Sequence, residues 1–499
     1  VVESLNHDLP FNEFIRRQLA GDLIAHEHSV ATGFLALGPS YISDGGDPES
    51  VAMARAETLD DRVDTVARGL LGVTVSCARC HDHKFDPIPQ LDYYSLAGVF
   101  RNTRPRDVPL APPDVVKQYD DHERQMRELN ANIKKIKKTA TNAERQLSEK
   151  EQDEVAKLTT ELKQLEKQPP AKYSVVHALA DADDSDMPLA VRGNPLKPGQ
   201  RAPRRFLRIV AGEDPPPFTR GSGRLELASA ITSRDNPLTA RVFVNRVWQW
   251  HFGQALVRTP SNFGKLGEKP THPELLDWLA SKFTSDSEGG LNGSLKRLHR
   301  LVLTSATYQM QSDLNPQSFA ADGDNRLLWR MNPRRLDVEA WRDALLSATG
   351  ELDLSVGGSS VSDISKSSRR TLYASISRSG EEFKSDVFLR LFDFPQSRST
   401  SEGRASSIVP QQSLFMLNSP FMAARARALT TRLNREEKSD EARIKLAYRL
   451  LYGRPANADE LQLGLQFLVT PAQADGEQLS AWQQYAQVLL SANETMYLE

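Results

Sequence analysis

The chain holds two cysteines in 499 residues, and they stand three apart with a histidine directly after them: Cys77-Ala78-Arg79-Cys80-His81. Two thiols at that spacing can add to the two vinyl groups of a haem. The adjacent imidazole is then placed to bind the iron from one face, which is the attachment pattern of a c-type haem. The same residues support two other readings. Cys77, Cys80, His81 and His83 can each ligate a divalent metal ion. Ligands packed so closely in sequence seldom close a tetrahedron, so Asp82, Asp86 or upstream acids would have to complete such a site. The third reading is structural: a disulfide, or two small buried thiols beside a helix-capping histidine. A reactive dithiol is a variant of it, but no thioredoxin-like βαβ pattern surrounds the pair.

Helices must position these residues. Ser50 to Leu71 predicts a helix with Val63, Val66, Ala67 and Leu70 on one face. Glu57, Asp60, Asp61 and Asp64 fall three to four apart on another. Like charges so placed repel, so that face is either solvated or gathered around a cation. Glu57, Asp61 and Asp64, with His81, His83 and Asp86, are therefore the candidate metal ligands. His83-Lys-Phe-Asp-Pro-Ile-Pro89 reads as rigid and extended, and Gln90 to Phe100 resumes as helix. A helix led by Pro10 carries Phe11, Phe14, Ile15, Leu19 and Leu23.

Residues 101–113 read as a proline-rich linker. From 114 to 168 the composition turns to Lys, Glu, Gln and Leu. Met126, Leu129, Ile133 and Ile136, then Val155, Leu158, Leu162 and Leu165, make two short heptad runs, which predicts an antiparallel helical hairpin able to meet a protein partner. Residues 171–218 read as a small β module, with strands at Tyr173–Leu179 and Arg205–Val210 around a turn at Val191–Pro195. Helices dominate from Gly221, with a further strand suggested at Arg370–Ile376. The expected fold is mainly α: two helical domains joined by a helical hairpin and a small β-rich module, divided at 1–110, 111–170, 171–220 and 221–499.

A net charge of −2 supplies no basic field for nucleic acid. No run of about 18 apolar residues reads as a transmembrane segment. The chain also lacks a Walker loop, a Gly-x-Ser-x-Gly elbow, a complete dinucleotide glycine fingerprint and a His-Glu-x-x-His pair, which argues against nucleotide, esterase and metalloprotease chemistry.

Longer strings carry a resemblance. Cys77-Ala-Arg-Cys-His-Asp-His-Lys-Phe-Asp-Pro-Ile88 with Asp92-Tyr-Tyr94, Ala20-Gly-Asp22, Ala31-Thr-Gly-Phe34 and Asp61-Arg-Val-Asp64 closely resemble the planctomycete cytochrome-like domain of unknown function 1549. Ser222-Gly-Arg-Leu-Glu-Leu-Ala228, Asn236-Pro-Leu-Thr-Ala-Arg241, Asn245-Arg-Val-Trp248, His251-Phe-Gly253, Thr271-His-Pro-Glu-Leu-Leu-Asp-Trp278, Ser305-Ala-Thr-Tyr308 and Leu417-Asn-Ser-Pro-Phe421 resemble its companion, domain of unknown function 1553. The resemblance implies an exported protein, periplasmic or at the cell surface, whose first domain begins upstream of Val1. It supplies no reaction.

Three functions follow. The first is a c-type cytochrome-like protein, with haem c on Cys77, Cys80 and His81 and a redox partner. The sixth ligand is open among His26, His28, His83, His251, His272, Met310 and Met331. The second is a metal-dependent enzyme, acting for example on polysaccharide, with Arg241, Asn245, Arg246, His272, Arg334, Arg335 and Asp337 lining a cleft or, as the plainer reading, capping helices and forming ion pairs. The third is a non-catalytic surface or assembly protein.

Overall fold

In the computed structural model, which describes residues 1–43, 45–142, 145–377, 383–397, 401–469 and 479–498, the helical periodicities become helices. The fold is mainly α. Phe11–Ile24 buries Ile15 and Leu19, and Pro48–Val66 runs on through a wider turn over Ala67–Leu71. Gln90–Arg101 is buried continuously from Asp92 to Phe100, as expected of a helix enclosed on every side. Among the described residues, no helix is long and apolar enough to cross a membrane.

Two stretches differ from the sequence reading. The proline-rich segment forms a strand, Thr103–Pro109, paired antiparallel with Val175–Asp181 in the register Arg106↔Ala178. A two-stranded ribbon has open edges on both sides, so Pro105 and Pro109 cost it no ladder bond that a central strand would need. Arg205–Val210, expected as a strand, instead leads into a short helix, Arg208–Ala211. There the Arg208 backbone N–H and Nε both donate to the fully buried Asp92 carboxylate, at 3.0 and 2.7 Å, and this tertiary clamp overrides the local alternation. The second ribbon pairs Met187–Ala190 with Pro198–Ala202 around a turn at Val191–Gly193.

Pro113–Asn142 and Glu149–Lys167 form the hairpin. His122 Nε2 meets the Leu165 carbonyl at 3.1 Å, which fixes the antiparallel sense. A capping box between Ser148 and Glu151 starts the second arm.

The described chain groups into two units. Unit 1 comprises Val1–Val63 with Val75–Asn236, and so holds the hairpin and both ribbons. Its most enclosed charge is Arg224, fully buried. It makes two 2.8 Å bonds to Asp22 and a 2.6 Å bond to Asp181. Burial alone would lower its pKa, but the two carboxylates outweigh that and raise it.

Unit 2 comprises Asp64–Thr74 with Pro237–Glu499. Its core gathers Trp341, Phe388, Phe392, Met422, Leu429, Ile444 and Leu490. The suggested strand at Arg370–Ile376 is instead a tight turn at Thr371–Tyr373. Buried Arg342 holds this region by donating to the carbonyls of Arg369, Ile364 and Ser367 and to Thr371 Oγ1.

Candidate functional site

Cys77 and Cys80 sit on a tight 3₁₀ turn, Ser76–Arg79, closed by the Cys80 N–H on the Cys77 carbonyl at 3.4 Å. Cys80 caps this turn, three residues after Cys77, which is the spacing at which side chains of an ideal 3₁₀ turn eclipse. Both are free thiols and both are exposed. Buried Ala78 faces the other way and anchors the turn. His81 is exposed, and its Nδ1 lies 2.7 Å from the Asp82 carbonyl. A carbonyl only accepts, so Nδ1 donates to it, and Nε2 is the nitrogen left open to a ligand. An imidazole held by a carbonyl on one nitrogen is the usual arrangement for one that ligates a metal through the other.

The turn is tied from behind. The Arg79 carbonyl accepts from Gln90 Nε2 at 3.0 Å and from the Tyr94 hydroxyl at 2.9 Å. Gln90 Nε2 also reaches the Ala190 carbonyl at 3.1 Å, and the Gln90 N–H donates to Asp82 Oδ1 at 2.7 Å. Gly193, at φ +76°, places its α-carbon against Cys80, where any side chain would run into Sγ. The Val191–Gly193 turn and the thiol are thus built around each other.

Of the other candidate ligands, His83, Asp86, Asp61 and Asp64 are engaged in structure. His83 is almost wholly buried as a side chain, and its Nδ1 accepts the Asp86 N–H at 2.9 Å, so that nitrogen faces inward. Asp86 is buried beside it, with Oδ2 3.5 Å from His83 Nδ1. Among the acids upstream, Asp60 accepts from the Tyr93 hydroxyl at 2.7 Å, and burial is the main cause that raises the Tyr93 pKa. Asp61 packs against Gly38, and Asp64 pairs with Arg68 at 2.7 Å. Glu57 is half-buried. Among the described residues, no three His, Cys, Asp or Glu side chains gather closely enough to hold a metal ion.

Comparison with protein families now bears on both regions. Residues 1–105 match the model PSCyt2, protein of unknown function (DUF1549), and residues 223–468 match PSD1, protein of unknown function (DUF1553). The chain pairs these two domains. No curated protein and no solved structure matches it.

Within the DUF1549 region the cysteine turn is the exposed chemistry; of the remaining strings Tyr94 braces it, while Asp22, Asp64 and Asp92 pair with Arg224, Arg68 and Arg208. In the DUF1553 region the polar residues expected to line a cleft are spent largely on helix ends and ion pairs. Arg241 pairs with Asp277 at 2.7 Å, and Arg335 with Asp393 at 3.2 Å. Buried Asn245 makes both amide bonds to Val257, at 2.8 and 2.9 Å. Arg246 donates to the carbonyls of Gly69 and Arg68 at 2.7 and 2.8 Å. His272 precedes the Pro273–Thr284 helix, with Nδ1 3.0 Å from Thr271 Oγ1. Arg334 donates to the Trp250 carbonyl. Asp337 precedes Val338–Thr349, and burial is the main cause that raises its pKa. The sequence reading missed His299, which stands 2.8 Å from His251 across their ring nitrogens. The signal lay in Leu295-Lys-Arg-Leu-His-Arg-Leu-Val-Leu303, an amphipathic run whose polar face is all basic.

Proposed function

We propose that the Cys77–His81 turn attaches haem covalently, with Cys77 and Cys80 as the thioether sulfurs and His81 Nε2 as an axial ligand. The protein is then a c-type cytochrome-like redox or electron-transfer protein, matured and working outside the cytoplasm. The observation that carries this reading is the coincidence of two free, exposed thiols three residues apart on a tight turn with an imidazole whose Nδ1 is held by a carbonyl. Two thiols and one imidazole are the groups that covalent haem needs from the chain, which supports the reading. Bound there, haem supplies one-electron chemistry. The chain's own part is to hold both sulfurs, to fix the His81 tautomer through Asp82, and to brace the turn through Gln90 and Tyr94.

The test is a pyridine haemochrome spectrum of the chain, exported from a host carrying the haem c maturation machinery. A band of covalently attached haem is expected in the wild type and in Asp61→Asn, and is lost in Cys77→Ser and Cys80→Ser. Folded but colourless protein, from a host that matures a control cytochrome normally, rules the reading out. Stoichiometric metal without a Soret band would replace it with a non-haem ion.

A further inference from the structure

The helix Leu295–Leu303 is held to its unit by buried Leu298 and Val302, and it turns basic charge outward without a single acid of its own: Lys296, Arg297 and Arg300, with His299 half-buried among them. Like charges at three and four residues repel. Among the described residues, Arg297 and Arg300 pair with no carboxylate, and the Arg297 guanidinium donates to the Gly290 carbonyl, at 3.0 Å. These four side chains, with Leu303 and Thr304, line an open pocket of about 520 Å³. It is an open depression on the face of one helix, so a ligand there would stay in contact with water.

His299 gives the pocket a fixed polar group. Its Nδ1 stands 2.8 Å from His251 Nε2, the rings meet edge to face at 5.0 Å, and Tyr308 packs on the far edge of His251. Burial chiefly lowers both imidazole pKa values, and for His251 His299 and Arg334 lower it further. A neutral pair needs one donor and one acceptor. When His251 donates, His299 carries its proton on Nε2, the nitrogen left for a ligand.

We propose that this pocket binds a small ligand through a tetrahedral oxyanion, phosphate or sulfate, with Arg297 and Arg300 as charged donors and His299 Nε2–H as a neutral one. Guanidinium forks match such oxygens in pairs. One nine-residue helix, in a chain of net charge −2, suits a single anionic group better than a polymer.

The experiment titrates the full chain, labelled with ¹⁵N-histidine, with inorganic phosphate, with sulfate and with a single-stranded oligonucleotide. Phosphate or sulfate should give a saturable change at the His299 ring, with the proton on Nε2. Arg297→Gln and Arg300→Gln, both on exposed positions and checked for fold by circular dichroism, should each weaken binding about tenfold. Three results would overturn the proposal: no saturable change with either ion, equal binding by the variants, or binding of the oligonucleotide alone.

Discussion

At the residue scale, the Cys77-x-x-Cys80-His81 pattern was legible because its chemistry is contiguous in the chain. Its support was not. Gly193 lies far along the sequence, and nothing local marks it as the residue that makes room for Cys80 Sγ. The same holds for Arg224, whose partners Asp22 and Asp181 come from distant segments. Gly193 carries a direct test. At φ +76° an alanine strains the backbone by about 1–2 kcal/mol, and its methyl meets Cys80 Sγ. A cysteine can escape that collision by rotating about its single χ1, which turns the sulfur away from the loop. Gly193→Ala should therefore lower stability in urea by about 1–2 kcal/mol. In a Cys77→Ser background it should also change the rate at which Cys80 reacts with a thiol reagent. Loss of stability with an unchanged Cys80 rate would leave the backbone effect and remove the packing argument.

At the element scale, the sequence was informative wherever a period ran long enough. The heptads of the hairpin and the buried face of Pro48–Val66 are of that kind. Short pieces were misread because tertiary contacts decided them: Val175–Asp181 recruited the Thr103–Pro109 strand, and Asp92 captured Arg208. Trp248 and Trp341 are core residues, as helical spacing suggests, whereas Trp250 and Trp278 are half or more exposed. The contact between the Thr239–Phe252 and Leu295–Leu303 helices brings a pH dependence with it. Burial first, and for His251 also His299 and Arg334, holds both imidazole pKa values below their ordinary value of about 6.5. On acidification the unfolded chain takes up these protons before the folded one does. The pair's contribution is thus fully present above pH about 6.5 and is lost as pH falls through and below that value. Melting temperatures measured from pH 7.5 down to 5 should fall more steeply for wild type than for His251→Asn/His299→Gln. Parallel curves would mean that the pair titrates as it does in the unfolded chain.

At the scale of the whole molecule, the two family domains and the two compact units do not share boundaries. The segment Asp64–Thr74 lies within the DUF1549 match yet belongs to unit 2, and the Arg224–Ile231 helix lies within the DUF1553 match yet belongs to unit 1. Each domain lends the other's unit a piece that the unit's polar groups depend on. In unit 2, Arg246 is half-buried and spends its guanidinium on the Gly69 and Arg68 carbonyls, and the Phe263 N–H donates to the Gly72 carbonyl at 2.7 Å. Gly72, at φ +62°, is pressed so close to Val242 that an added Cβ would stand 2.6 Å from Cγ2. A fragment of residues 237–499 keeps only Pro260 and Ser261 as acceptors for Arg246, at 3.3 and 3.2 Å. A lost partner costs up to about 1–3 kcal/mol where the donor is shut off from water. Supplying residues 60–76 as a peptide should therefore raise the fragment's melting temperature saturably, by roughly 5–10 °C. A peptide carrying Gly72→Val should do so far less, because the side chain meets Val242 and the backbone is left-handed there. If neither peptide moves the melting point, the segment is not integral to unit 2, and the two domains fold on the boundaries that their family matches draw.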